Sequence, residues 1–160
     1  MISGSSLWQL VYDYGGNPFL LAMLPLYLIA LNKGDPTDRA CAHVLIIGLL
    51  LFALLALDRH GTLPSWPYGM AQVVGDLLLL IALSAIAVNS ARRYPVIIAA
   101  AQLLIALAGT LAAAGLIAHE QTLTVMLVAA GLIQLAACGI GLIYPRICRH
   151  FRAEAPAFAG

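Results

Sequence analysis

Charged residues are scarce in this chain: its 160 residues include eight Lys and Arg and seven Asp and Glu, together 9% of the sequence. Soluble domains carry about 25% charged residues, because their surfaces face water. Since 62% of the residues are apolar, the chain cannot cover a soluble surface, and lipid must supply part of its surroundings. The formal net charge of +1 and the lack of a basic stripe argue against a nucleic-acid partner.

Cysteines and sequence signals are also few. Three cysteines, Cys41, Cys138 and Cys148, are an odd number without paired spacing, which excludes a disulfide framework. No Lys or Arg precedes the first apolar run, so we expect no signal peptide. The sequence contains no Gly-rich phosphate loop and no Ser-His-Asp or Cys-His arrangement, so it predicts no catalytic residues.

Apolar segments, in contrast, fill most of the chain. A membrane-spanning helix needs about 20 residues, and the pattern predicts five spans, at about 17–31, 40–57, 66–89, 95–118 and 122–144. The predicted fold is therefore all-α, a polytopic membrane helix bundle forming a single domain over residues 1–160. Residues 1–16 are predicted as an interfacial N-terminus with a short helix at Ser6–Tyr14, and residues 145–160 as a cytoplasmic tail.

Aromatic residues cluster near the predicted ends of the spans. Trp and Tyr are enriched where a membrane meets water, because one part of the ring is apolar and another is polar. We therefore interpret six of them as interface anchors: Trp8, Tyr12, Trp66, Tyr68, Tyr94 and Tyr144.

The basic residues indicate an orientation. Cytoplasmic loops of membrane proteins carry an excess of Lys and Arg. With five spans, seven of the eight basic residues fall on one side and Arg59 alone falls on the other. The sequence thus predicts an outer N-terminus and a cytoplasmic C-terminus. The seven are Lys33, Arg39, Arg92, Arg93, Arg146, Arg149 and Arg152.

This topology argues against bound metal. A membrane haem needs two histidines facing each other at one depth, whereas His43 and His119 fall on opposite sides. Cys41 and His43 are two residues apart on a helix and so point in different directions. The same spacing separates Cys148 from His150. We expect neither a metal site nor a cofactor.

One carboxyl group, that of Asp76, lies deep inside the third span. A rise of 1.5 Å per residue places it about 15 Å from the outer end. Gln134 and Thr110 come to a similar depth on the neighbouring spans, with Gln102 lower and Gln72 one turn outward of Asp76. The sequence thus predicts an intramembrane polar layer. In it Asp76 is a neutral acid hydrogen-bonded by an amide or a hydroxyl, a proton or ion site, or a contact with a residue of another protein.

The second half of the chain carries a recognisable run of residues. A span with Ala85-Ile86-Ala87 is followed by NSARRYP at Asn89–Pro95, and then by an Ala-rich span with Gln102-Leu103-Leu104. Over about Gly75–Ile143 the chain resembles small uncharacterised integral membrane proteins of alphaproteobacteria. The resemblance implies a bacterial inner membrane and no particular activity.

Three classes of function remain open. The leading hypothesis is a non-enzymatic accessory or scaffold subunit that packs against a larger membrane complex, because the chain has short loops and no soluble domain. The alternative is a small oligomeric transporter or a proton or ion channel that uses Asp76. A membrane-embedded enzyme or redox carrier is a third class. The expected partners are the lipid bilayer and either other membrane proteins or further copies of the chain.

Overall fold

The structure, a computed structural model, describes residues 17–57, 68–117 and 120–154. The predicted interfacial helix and the anchors Trp8, Tyr12 and Trp66 lie outside these residues, as does the side chain of Tyr68. The described residues form five helices, which confirms the all-α prediction. They are α1 (Asn17–Lys33), α2 (Pro36–Leu57), α3 (Tyr68–Asn89), α4 (Tyr94–Ala113) and α5 (Glu120–Glu154).

Three of the described helices are long and apolar enough to cross a membrane. The stretches that meet this condition are Met70–Asn89 in α3, Tyr94–Ala113 in α4 and Thr122–Pro145 in α5. A shorter apolar stretch, Leu21–Lys33, lies in α1. These lengths and compositions are typical of a membrane protein.

Helix α2 begins at Pro36, four residues before the predicted start of its span. The cause is a reciprocal cap between two carboxylates. Asp38 donates its backbone N–H to Oδ1 of Asp35 at 2.8 Å, and Asp35 donates its own to Oδ2 of Asp38 at 3.2 Å. With Pro36 in the first helical position, this is a capping box with Asp in place of Ser and Glu.

Helix α4 ends at Ala113, so the prediction of a span to residue 118 was too long. Gly115 has φ +71°, a left-handed conformation that glycine adopts without steric cost. Leu116 donates its N–H to the carbonyl of Leu111, and Gly115 donates to that of Ala112. These two bonds form a Schellman motif, which satisfies the last carbonyls and stops the helix.

Helix α5 continues to Glu154, well past the predicted end of the last span at residue 144. Pro145 lies inside this helix without ending it. The first part of the predicted cytoplasmic tail is therefore helical, and α5 carries it beyond the apolar stretch that ends at Pro145.

The helices close into a bundle. Each helix packs on the next one in the chain, most extensively α4 between α3 and α5, and α1 packs on α5 as well as on α2. Fully buried side chains from all five helices form the core, including Met23, Cys41, Leu83, Ile98 and Cys138. Large apolar side chains also point outward on every helix, as expected where lipid is the solvent: Leu28, Leu54, Ile81, Leu104 and Ile140 are examples.

Candidate functional site

Three residues of the predicted polar layer meet inside the bundle, one from each of α3, α4 and α5. Nε2 of Gln102 donates to Oδ1 of Asp76 at 3.2 Å and to the Asp76 backbone carbonyl at 3.3 Å. Nε2 of Gln134 donates to Oε1 of Gln102 at 2.8 Å. Both glutamines are buried. This carboxyl cluster (Asp76, Gln102 and Gln134) joins the three helices through one chain of hydrogen bonds.

The second carboxyl oxygen of Asp76 has different surroundings. Oδ2 is buried and, among the described residues, has no hydrogen-bond partner. It faces Gly109 of α4, where an added Cβ would lie 3.6 Å from Oδ2 and 3.9 Å from Cγ2 of Val73. Oδ2 therefore lies at the contact between α3 and α4, where an alanine in place of Gly109 would just touch it.

Thr110 does not join the carboxyl cluster, which corrects the prediction. Gly109 lies seven residues after Gln102, on the same helix face, and Thr110 is rotated from that face by about 100°. Its side chain is exposed and its hydroxyl donates to the backbone carbonyl of Ala106 at 2.7 Å. Threonine often returns its hydroxyl to its own helix in this way. The residue of α4 that lies beside Asp76 is Gly109, the neighbour of Thr110 in sequence. The prediction for Thr110 therefore chose the correct level of α4 but the wrong face of the helix.

Gln72 also stays outside the cluster. It lies one turn from Asp76 on α3 and is half-buried. The hydrogen bonds that reach Asp76 come from Gln102 instead. The sequence predicts Gln102 lower on its span than the other members of the layer, and its long side chain spans the distance to Asp76.

A second polar cluster lies where the α1–α2 and α3–α4 connections meet. Arg92 contacts Oδ2 of Asp35 through Nη2 at 2.6 Å and Oδ1 of Asp38 through Nη1 at 2.7 Å. The hydroxyl of Tyr94 also donates to Oδ1 of Asp38, at 2.7 Å. Asp38 is 3% exposed, so its charge depends on these donors. We call Asp35, Asp38, Arg92 and Tyr94 the arginine cluster.

Tyr94 is buried, so the structure contradicts its predicted role as an interface anchor. Its ring packs against Gly141 of α5, and its hydroxyl is committed to Asp38. The side chain thereby connects three helices at the charged end of the bundle. Tyr144, by comparison, is 64% exposed, and its role as an anchor stays a prediction.

The arginine cluster was not predicted from the sequence, in which Arg92 is an orientation signal and a candidate contact for a partner protein. A local signal was present: Asp35-Pro36 followed by Asp38 is the pattern of a capped helix start. No local pattern reveals that Arg92, 54 residues later, pairs with that cap.

An open pocket of about 210 Å³ adjoins the arginine cluster. Its lining combines Asp35, Asp38 and Arg92 with Lys33 and, from α5, Leu142 and Pro145. Arg92 is already paired with Asp35 and Asp38. These three charged groups are therefore not available to bind a ligand in the pocket. Among the described residues, no group of three or more His, Cys, Asp or Glu side chains is arranged to hold a metal ion.

No family model, curated protein or solved structure matches this chain. The resemblance to alphaproteobacterial membrane proteins thus stays a prediction, and function has to be argued from the two clusters.

Proposed function

We propose that the chain is a non-enzymatic protein of the bacterial inner membrane, an accessory or scaffold subunit that packs against a larger membrane complex. In this proposal all five helices cross the bilayer, with the N-terminus outside and the C-terminus in the cytoplasm. The observation that carries the proposal is the hydrogen-bond chain Gln134–Gln102–Asp76, which joins α3, α4 and α5 through their interiors.

The arginine cluster has the same effect at one end of the bundle. It ties the start of α2 to the connection between α3 and α4. Polar groups of both clusters are thus used to hold helices together, and the outward faces carry large apolar side chains. A small bundle fixed internally and apolar outside is suited to packing against other membrane helices, where van der Waals contact drives association.

The arginine cluster also supports the proposed orientation. The direct contact between Arg92 and Asp35 brings the α1–α2 and α3–α4 connections to the same end of the bundle. Three exposed basic residues lie in or next to these connections, namely Lys33, Arg39 and Arg93. A single basic end is the arrangement that the positive-inside rule assigns to the cytoplasm.

Two experiments test this proposal. Native mass spectrometry after gentle extraction from the original membrane should find the chain with larger membrane subunits. A lone monomer or a homo-oligomer would contradict the scaffold role. For the topology, green fluorescent protein fused to the C-terminus should fluoresce, and alkaline phosphatase fused after Thr62 should be active outside. The reverse pattern would refute the orientation.

A second candidate is a small oligomeric transporter or a proton or ion channel. It is favoured by one observation, the buried Oδ2 of Asp76 without a hydrogen-bond partner among the described residues. Intramembrane carboxyl groups of this kind mark ion and proton pathways. Purified protein in liposomes should then conduct protons or small ions, and Asp76→Asn should abolish the flux. Equal flux from both proteins would exclude a role for Asp76 in transport.

A further inference from the structure

Asp76 has two carboxyl oxygens in unlike surroundings. Oδ1 accepts a hydrogen bond from Gln102. Oδ2 is buried and has no such bond from the described residues, and it lies beside Gly109 of α4. A buried polar oxygen is normally paired, so an unpaired one points to something that it binds.

Among the described residues, the groups recorded against the Asp76 carboxyl carry no charge. Gln102 and Gly109 of α4 lie against it, and Gln134 of α5 reaches it through Gln102. An ionised carboxylate within a membrane span is strongly unfavourable without a counter-charge. A proton on Oδ2 removes the negative charge and turns that oxygen into a donor.

A metal cation fits this place less well than a proton. Hard cations such as Ca²⁺ and Mg²⁺ take about six or more oxygen ligands. Oδ1 and the backbone carbonyl of Asp76 both accept hydrogen bonds from Gln102, which leaves Oδ2 as the uncommitted oxygen of the residue. One oxygen suffices for a proton.

The two glutamines donate in sequence, and the last bond ends on the carboxyl group. Gln134 donates to Gln102, and Gln102 donates to Asp76. Donors aimed at a carboxyl oxygen stabilise its charged form. The cluster therefore offers hydrogen bonds to the carboxylate at the moment when a proton leaves.

We propose that Asp76 is a proton-binding site, which holds an exchangeable proton on Oδ2, beside Gly109, in the resting bundle. This inference rests on the proposed placement of α3, α4 and α5 across the membrane. It also deepens the second candidate function, because it names the proton as the bound species.

The first test is labelling with dicyclohexylcarbodiimide, a lipophilic reagent that reacts with protonated carboxyl groups in apolar surroundings. The acid's proton moves to a nitrogen of the reagent, and the carboxyl oxygen adds to its central carbon. An O-to-N acyl shift then gives a stable N-acylurea with no loss of atoms. The intact protein should gain one reagent molecule, located on the peptide that contains Asp76.

The chain supplies matched controls. Asp38 is also buried but is paired with Arg92, so it should stay unlabelled, and Asp76→Asn should abolish the adduct. Gly109→Ala adds a methyl group 3.6 Å from Oδ2, an ordinary contact, and should slow labelling several-fold. Gly139→Ala, where the nearest atom is Cδ2 of Leu26 at 3.8 Å, should leave the rate unchanged. Equal rates for the two glycine variants would overturn the placement of the reacting oxygen, Oδ2, beside Gly109.

Competition with sodium ions distinguishes a bound proton from a bound metal cation at Asp76. Labelling at neutral pH that is indifferent to added NaCl supports the proposal, whereas protection by NaCl would overturn it in favour of a cation site.

Infrared spectroscopy gives a second readout that needs no reagent. The wild type should show the carbonyl band of a protonated carboxylic acid, which is lost in Asp76→Asn and shifts in D₂O. If the two proteins show the same spectrum in this region, Asp76 is ionised and the proposal fails. A band that never shifts in D₂O would also refute it, because the proton would not exchange. Neither the labelling nor the infrared measurement involves a partner subunit or transport. The proton-site proposal can therefore fail independently of both candidate functions.

Discussion

Replacing Gly141 by alanine tests how closely α5 packs against the arginine cluster. A Cβ at this position would lie 2.5 Å from Cδ1 and 2.8 Å from Cδ2 of Tyr94, closer than real Cβ contacts allow. The ring has little freedom to move away, because the Tyr94 hydroxyl donates to Asp38 at 2.7 Å. The substitution must therefore displace α5 or break the bond between Tyr94 and Asp38.

Either outcome is costly. Overpacking a core costs about 1–3 kcal/mol, and losing a hydrogen bond to a charged group costs about 1.5–3 kcal/mol. Alanine also favours a helix over glycine by about 1 kcal/mol. Gly139→Ala receives the same helix benefit without the clash, because its nearest neighbour atoms, on Leu26, are 3.8 and 4.0 Å away. We expect Gly141→Ala to be less stable than Gly139→Ala by about 1–3 kcal/mol.

The two variants can be compared by unfolding in mixed detergent micelles, with the half-life at raised temperature as a second readout. A double-mutant cycle isolates the contact itself. In a Tyr94→Ser background the ring is gone, so Gly141→Ala should lose most of its effect. Equal stability of the two alanine variants would refute the packing of Tyr94 on Gly141, as would a loss that persists unchanged in the Tyr94→Ser background.

The remaining predictions concern the hydrogen bonds of the two clusters. Arg92→Gln should lower the free energy of unfolding by about 2 kcal/mol in the same assay, because Asp38 loses its counter-charge. Breaking a fully buried ion pair costs roughly 3–5 kcal/mol, and the loss is smaller here because Arg92 is only partly buried. Arg93→Gln, at an exposed position, should change stability by less than about 0.5 kcal/mol; equal losses would contradict the pairing. Gln102→Leu removes every bond of the carboxyl cluster and should cost about 1–2 kcal/mol, against about 0.6 kcal/mol for Gln134→Leu. A larger loss of stability for Gln134→Leu than for Gln102→Leu would contradict the order of hydrogen bonds, in which Gln102 lies between Gln134 and Asp76.

Much of the fold follows from composition and local pattern. Apolar stretches of about 20 residues with few charges predict helices. Five helices lie at the predicted positions apart from their ends, and three of them are long and apolar enough to cross a membrane. Those ends were mistaken where local signals were missed, namely the Asp35–Asp38 cap before α2 and Gly115 after α4. Both signals can be read from the sequence, because a cap and a left-handed glycine act within a few residues.

The side-chain contacts of the candidate site were less predictable. Depth along a helix follows from residue number, so Asp76 and Gln134 could be placed near one plane. Rotation about the helix axis depends on how α3, α4 and α5 pack, and this is why Thr110 was assigned to the cluster and Gly109 was overlooked. The pairing of Arg92 with Asp35 and Asp38 depends on two connections that are distant in sequence.

The two clusters treat a buried carboxyl group in opposite ways. Asp38 has an arginine and a tyrosine within 2.7 Å, so its charge is balanced, and the result is a fixed joint between helix ends. Asp76 has amide donors on one oxygen and, from the described residues, no partner on the other. An asparagine or a glutamine would join α3 to α4 equally well without a group that can ionise. The proposed proton site requires a group that can ionise, so Asp76, rather than the better-satisfied Asp38, is the residue with which to begin a search for activity.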